Sequence, residues 1–353
     1  MSFGSPFTLV LSGGGVKGLA HIGVLQALEE RGLIPNLIVG SSMGSLIAAA
    51  WACGMPLDEM RERGLQVRRR DIFQVAHFDM AMKRMRAPAV YRPEPLDALI
   101  VSLVGDRTFA DLPRQLVINT VELNTGMQVL WGLPGLQHVR VVDAVFASCA
   151  LPGLFPPREI DGRWYVDGAV VENLPAEVAA AQGKGPVLAV DVGSTSVLRS
   201  NVQDEGFAAT YIRGLEIVMQ NMMESRLRRW TAPPLVLLHP RVEHVSMFGF
   251  GHNRELIEEG HRSTLDLLDQ LKESFDPEGH GVYPQRRVEV RIDRERCVGC
   301  GACVMHAPWA FEMDEEGKAK VRQALHSWSP LDGTYVRNCP TYAISARLAG
   351  KWP

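Results

Sequence analysis

The chain predicts an α/β domain followed by a small cysteine-bearing unit, and three observations carry that prediction. Up to residue 272, short apolar runs alternate with segments of helical period, the pattern of a strand–helix–strand fold. The stretch ESFDPEGHGVYPQRR at 273–287, rich in proline, glycine and charge, breaks the alternation and suits a linker. Beyond it, four of the six cysteines fall in one metal-ligand pattern. The 353 residues thus divide into a domain at 5–272, a linker at 273–287 and a second domain at 288–353.

The elements follow in order. FTLVLS at 7–12 is apolar throughout, as expected of a strand buried on both faces. A glycine loop leads into a helix over 17–30, with Leu19, Ile22, Val24, Leu25 and Leu28 as its apolar set. A second short strand is expected at 34–39 and a small-residue helix at 42–51. Further strands are expected at 116–123, 127–131, 187–192 and 235–238. The helical spacing at 211–227, through Ile212, Leu215, Val218, Met219 and Met222, predicts a helix packed on the sheet, with a membrane or partner surface as the alternative.

Composition removes several classes of function. Apolar residues make up 46% of the chain, enough to fold, and a net charge of −3 gives no electrostatic case for a nucleic-acid partner. No apolar run reaches the ~20 residues of a membrane-spanning helix. The opening MSFGSPFTLVLSGGG lacks a charged leader, so no signal peptide and a cytoplasmic location are expected. Six cysteines are too few for a disulfide scaffold at this length, which fits a reducing compartment.

Gly40-Ser41-Ser42-Met43-Gly44 fits G-x-S-x-G between a strand and a helix. A sharp turn there exposes the serine oxygen, and glycines on either side avoid clashes. The same residues also suit a plain turn that starts a helix. Upstream, Gly13-Gly14-Gly15-Val16-Lys17-Gly18 joins another strand to another helix. Its backbone N–H groups are suited to an oxyanion. The run also satisfies G-x-G-x-x-G, but a dinucleotide site would want a carboxylate at the end of the second strand. That strand ends in Val39-Gly40-Ser41-Ser42. A serine nucleophile needs a base. His239, His244 and His252 lack the context of a triad member, and His21 reads as a helix residue satisfied by a neighbour. Asp167, before Gly168 and after an aromatic strand at 163–166, is the better candidate, although such an aspartate is commonly a turn residue.

GGGVKG (13–18), GSSMG (40–44), ASCALPGLFPP (147–157) and DGAVVENLP (167–175) together resemble, in order and spacing, the patatin-like phospholipases. The similarity covers most of 7–240. It implies a parallel-sheet sandwich with helices on both faces and a serine–aspartate dyad without histidine. On this chain the resemblance makes Ser42 the nucleophile and Asp167 the base. It places the oxyanion hole at Gly13, Gly14 and Gly15, with Lys17 adding positive charge. Asn173, Pro152 and Pro175 match the pattern as loop-shaping residues. The implied substrate is a lipid or other acyl ester, cleaved through an acyl-enzyme, and contact with the membrane periphery is compatible with it. Residues 58–92 mix methionines with Arg68, Arg69, Arg70, Lys83, Arg84 and Arg86. They suit either a lid that meets anionic head groups or a solvated connecting helix with inward methionines.

Cys297, Cys300 and Cys303 stand in C-x2-C-x2-C spacing, with Cys339-Pro340 further on. That is the ligand pattern of bacterial iron–sulfur proteins, and the count predicts one 4Fe–4S cluster. Structural zinc is the alternative. Residues 288–347 resemble single-cluster ferredoxins, which implies a small α+β unit and leaves a redox partner protein open. Cys53 and Cys149 read as small apolar fillers. Two rival readings stand beside the hydrolase: a redox-sensing or electron-transfer scaffold with a vestigial hydrolase half, and an acyltransferase using the same dyad.

Overall fold

A computed structural model describes residues 3–76, 89–193 and 207–349. β1 (Thr8–Leu11) passes through a 3-10 turn at Gly15–Leu19 into α1 (Ala20–Glu30). β2 (Leu37–Ser41) leads into α2 (Met43–Ala52), followed by α3 (Leu57–Gln66) and α4 (Pro93–Val104). Next come β3 (Leu116–Glu122), β4 (Gln128–Trp131) and α5 (Val141–Cys149). A hairpin of β5 (Arg158–Ile160) and β6 (Arg163–Asp167) precedes α6 (Ala169–Glu172) and α7 (Ala176–Gln182). The domain closes with β7 (Val187–Val190), α8 (Phe207–Leu227), β8 (Leu235–Leu238), α9 (Asn253–Ser274) and β9 (Val282–Tyr283).

The second strand begins later than expected. Ile34 is 62% exposed and Pro35 has no N–H to pair, so the ladder with β1 starts at Leu37 opposite Thr8. Within the segment 273–287, α9 runs on to Ser274, and Val282–Tyr283 pairs with β8.

These nine strands form one sheet in the order β5-β6-β3-β2-β1-β7-β8-β9, with β4 also on β3. β3, β2, β1, β7, β8 and β9 run parallel, β4 and β6 run antiparallel to them, and β5, antiparallel to its partner β6, points the same way as β3, so the sheet is mixed but parallel in its centre. Strand alternation sends Leu9, Leu11, Ile38, Leu188 and Val190 to one face and Val10, Leu37, Val39, Val187 and Ala189 to the other. The first face carries α1 to α5 and α9, and the second carries α7 and α8. Both faces are covered, which is why these strands lack polar alternation.

α8 is rotated relative to the expectation. Met223 and Leu227 pack on the sheet, whereas Val218 (54% exposed) and Met222 face outward. The buried stripe includes Glu216, which an ion pair from Arg213 at 3.1 Å compensates. Among the described residues, no helix is long and apolar enough to cross a membrane.

The C-terminal unit has a three-stranded antiparallel sheet of β13 (Leu325–Trp328), β10 (Arg286–Ile292) and β14 (Ile344–Leu348). A second ladder pairs β11 (Phe311–Met313) with β12 (Ala319–Val321), and α10 (Ala302–His306) and α11 (Thr334–Arg337) complete the unit. Its own core gathers Val288, Val290, Cys303, Phe311, Tyr335 and Ile344.

α1 and α9 make the tightest helix pair of the first domain. A Cβ on Gly23 would land on the Ile257 carbonyl, and one on Gly260 on the Ala20 carbonyl. Backbone cannot move aside as a side-chain tip does, so Gly23→Ala must spread the two helices. The expected cost is roughly 2–3 kcal/mol. Chemical denaturation would measure it as a lower midpoint with an unchanged slope.

Candidate active site

The site is built by strand ends. β2 pairs with residues 116–119 of β3, and β6 pairs with residues 120–122. Because β4 occupies the opposite edge over residues 118–121, β2 and β6 share one edge of β3 and meet head to head. Ser41 lies opposite Asn119 and Asp167 opposite Thr120, so Ser42 and Asp167 leave their strands at the same place.

Ser42 has φ 50° and ψ −129°, a left-handed conformation that a non-glycine residue adopts only when its surroundings impose it. Its N–H donates to Ser148 Oγ (2.9 Å), and Ser148 Oγ donates to the Asn119 carbonyl (2.8 Å). Ser45 Oγ donates to the Ser42 carbonyl (2.6 Å). The flanking glycines are sterically required. A Cβ on Gly40 would strike the Ser45 backbone, and one on Gly44 would strike the Leu11 and Ser12 carbonyls. The turn is therefore held from three sides.

Asp167 is 1% exposed, and its Oδ1 accepts the Ala169 N–H (2.9 Å). Burial dominates its titration. Loss of water pushes the carboxyl from an ordinary 3.8 up to about 7, and the Ala169 N–H and Ser42 hydroxyl only partly offset the rise.

The glycine loop lies across the serine, with Gly13 so close that a Cβ there would meet Ser42 Cβ. Asn173 clamps it, accepting the Gly13 N–H on its side-chain oxygen (3.1 Å). That leaves Gly14 and Gly15, whose N–H groups meet no acceptor among the described residues. Gly13, Gly14, Gly15, Lys17, Ser42 and Asp167 all line one cavity, walled by Leu96, Phe155, Met219 and Phe248. Cys149 lines the same cavity, and burial first, then the Asp167 charge, raises its thiol well above the usual range.

Behind the loop is a buried polar group that the sequence motifs did not single out. Asp191 is fully buried, with His239 Nδ1 at 3.3 Å from its Oδ2 and the Gly193 N–H on its Oδ1 (2.9 Å). Burial works against its charge, but His239, Gly193 and the nearby Lys17 outweigh that and hold it below the usual value. His21 is satisfied at one nitrogen: its Nε2 donates to the Ser12 carbonyl (2.9 Å), its buried Nδ1 meets no partner among the described residues, and burial lowers it to about 4, so it is neutral. His244 and His252 instead pair with Glu255 on the surface. Of the segment at 58–92, the α3 part buries Met60 and Gly64, and the basic run 80–86 lies outside the described residues.

In the C-terminal unit, Cys303 is buried at the start of α10, Cys297 and Cys339 pack half-buried on the same core, and Cys300 is exposed. Gly299 and Gly301, at φ 73° and 72°, turn the chain between the thiols. The Ala343 N–H donates to Cys339 Sγ (3.2 Å), the kind of bond that stabilises a cluster thiolate. Among the described residues, no three His, Cys, Asp or Glu side chains are grouped to hold a metal ion. Cys297, Cys303 and Cys339 share one small core, and all four thiols are soft donors of the kind an iron–sulfur cluster takes.

Comparisons with known proteins agree with this division. Residues 9–180 match the patatin-like phospholipase family model, and residues 290–333 match the 4Fe-4S single cluster domain, with Cys339 beyond the matched range. An uncharacterized NTE family protein of Mycobacterium tuberculosis is 30% identical over 234 residues, 64% of this chain and 38% of that protein. Patatin-like phospholipase domain-containing protein 6 of Mus musculus is 28% identical over 263 residues, 69% of this chain and 17% of that protein. The chain thus spans well under half the length of these relatives. The solved structure of VipD from Legionella pneumophila aligns with a TM-score of 0.46 and 17% identity, over 76% of this chain and 68% of that one. On the two family matches, the chain joins a patatin-like phospholipase domain to a C-terminal 4Fe-4S single cluster domain.

Proposed function

We propose that this chain hydrolyses acyl esters of lipids through an acyl-enzyme on Ser42, with Asp167 alternating as base and acid. The observation that carries the reading is the buried Asp167 carboxyl against a strained, exposed-edge serine, its pKa pushed up to about 7. A carboxylate of ordinary acidity is too weak a base to take a serine proton, and one near neutrality is poised for both half-reactions.

Asp167 takes the Ser42 hydroxyl proton as Oγ attacks the ester carbonyl. The negative charge on the carbonyl oxygen falls to the Gly14 and Gly15 N–H groups, while Gly13 is held by Asn173. Collapse of the intermediate expels the alcohol, which takes the proton back from Asp167, and leaves Ser42 acylated. Water, deprotonated by Asp167, then releases the acid and restores the serine. Lys17, buried in the cavity lining near Asp191, adds positive potential behind the loop rather than a direct contact.

The proposed boundaries move from the expected 5–272 and 288–353 to 5–283 for the hydrolase and 286–353 for the iron–sulfur domain, because β9 joins the first sheet and β10 begins at Arg286, with Cys297, Cys300, Cys303 and Cys339 holding one 4Fe–4S cluster. When bound, such a cluster supplies one-electron transfer, which ester hydrolysis does not consume.

A peripheral membrane contact is also proposed, and α8 supports it. Between positions 210 and 225 its exposed residues are Thr210, Tyr211, Gly214, Ile217, Val218, Asn221, Met222 and Ser225, with no charge among them. The other side of the same helix, through Glu216, Met219 and Gln220, lines the Ser42 cavity. An uncharged outer face beside the mouth suits a lipid surface.

Three outcomes are expected. Ser42→Ala abolishes turnover of a short-chain ester, and kcat/KM of the parent rises with pH to a plateau above about 7. Asp167→Asn lowers the rate by about 10²–10⁴-fold and flattens that profile. A parent profile that is flat from pH 5 to 8 would sink the dyad.

Stability carries the same signature with a definite sign. The folded pKa of Asp167 lies above the unfolded value, so folding favours the protonated acid. Stability is full below 3.8, where the acid is protonated in both states, falls as pH rises toward about 7, and is lower by roughly 4 kcal/mol above that. Asp167→Asn, which cannot ionise, should therefore melt higher than the parent at pH 8, with the gap closing toward pH 4. For the membrane contact, Val218→Asp with Met222→Asp should reduce sedimentation with lipid vesicles several-fold while soluble-ester turnover persists. Unchanged sedimentation would end that reading.

A further inference from the structure

A second cleft, of about 410 Å³, opens between the two domains and does not include Ser42 or Asp167. Its volume lies in the range of small-ligand sites, which favour domain boundaries. The hydrolase side contributes Arg241, Arg262 and His239, and the iron–sulfur side contributes Arg286, Arg347 and Trp328. Asp266 is the one carboxylate among its described lining residues.

The partners of these cations decide what the cleft can hold. Arg262 is neutralised by Glu259 (2.7 Å) and Asp266 (2.9 Å). Arg347 lies opposite Glu289 in the β10–β14 ladder. Arg286 donates to the neutral amide oxygen of Gln270 and meets no carboxylate among the described residues. The Arg241 backbone N–H is held by Glu259 (2.9 Å), but its guanidinium meets no carboxylate among the described residues. His239 turns its Nδ1 inward to Asp191, and the exposed third of its side chain borders the cleft, with the Glu243 charge nearby. Two unneutralised forks, one from each domain, therefore face a space floored by an imidazole and edged by an indole.

We propose that this cleft binds a phosphate-bearing anion, gripped between Arg241 of the hydrolase domain and Arg286 of the iron–sulfur domain. Guanidinium forks match the oxygens of a tetrahedral anion in pairs, and two of them on separate domains would be drawn together by one ligand. Such a ligand touches His239 directly, and through it Asp191, which braces Gly193 beside the glycine loop. Occupancy would thus be felt at the hydrolytic site without entering it. The phosphate arises either from a soluble compound or from a lipid head group.

The test is calorimetric titration of anaerobically purified protein with inorganic pyrophosphate at low ionic strength, alongside sedimentation with phosphatidic acid and with phosphatidylcholine vesicles. Saturable pyrophosphate binding, weakened at least tenfold by Arg241→Gln with Arg286→Gln, supports a soluble ligand. Capture by phosphatidic acid vesicles that the same pair of substitutions removes, with weak pyrophosphate binding, assigns the site to a head group. Arg286→Lys, which keeps the charge and the fold but loses the fork, should give an intermediate loss in whichever arm responds. No binding in either arm, or binding indifferent to all these substitutions, overturns the proposal. Because none of these readouts is hydrolysis, failure here is separate from failure of the dyad.

Discussion

Everything in the hydrolase domain depends on two strands ending on one edge of β3. β2 runs parallel to β3 and stops at Asn119, and β6 runs antiparallel and stops at Thr120. Neither ladder can extend without displacing the other, so both chains must turn away at that point. One turn makes the left-handed Ser42 and the other places Asp167. Asn119, at the meeting point, accepts from Ser148 on its carbonyl and donates from its side chain to the Glu172 carbonyl. A single buried asparagine therefore ties the serine turn to the aspartate turn. The separation of Ser42 from Asp167 is set by sheet register, which is stiff, rather than by side-chain packing, which is not.

That placement has an energetic consequence elsewhere. A carboxyl held without water, and a serine held at φ 50°, both oppose folding. They persist because the surrounding backbone is over-determined: glycines at 13, 40, 44 and 168 bring chain segments closer than any Cβ permits. The outer wall is fixed by charge. Glu172, beside the Asp167 turn, pairs with Arg226 of α8 at 3.0 Å, and Gln128 of β4 donates to it at 3.1 Å. α8 is thereby anchored over the cavity although its outer face carries no charge between 210 and 225. Strain at the centre and clamps around it are two sides of one arrangement.

How much of this was legible in the sequence follows from the physics of each element. Strand 235–238 was readable because a buried strand needs a continuous apolar run, and 116–123 and 127–131 because valine, isoleucine, leucine and tryptophan dominate them between turn residues. The phase of α8 was not, since its methionines and valines point outward while Glu216 points inward, against the usual rule. α9 was not assigned from sequence either: its charged residues mask a narrow stripe of Leu256, Ile257, Leu268 and Leu271. Within the site, glycines and strand-end motifs marked Ser42 and Asp167, because both signal sharp turns. Ser148, Asn119 and the Asp191–His239 pair carry no such local signal. They are brought in by strand pairing between distant segments, which no short motif encodes.

The attachment of the iron–sulfur domain can be argued from the same geometry. Only Pro284 and Gln285 separate β9, the last strand of the hydrolase sheet, from β10, the central strand of the small sheet. Proline fixes its own backbone angle, so two residues of this kind transmit orientation instead of absorbing it. Leu331 of the small domain packs into the second core of the hydrolase, among Leu235, Leu237 and Val282. Arg337, two residues before Cys339, comes within 3.9 Å of Glu224 on α8. The helix that meets the iron–sulfur domain is thus the helix whose inner face lines the serine cavity. The small domain therefore bears on the wall of the serine cavity through rigid contacts, whatever group its thiols hold.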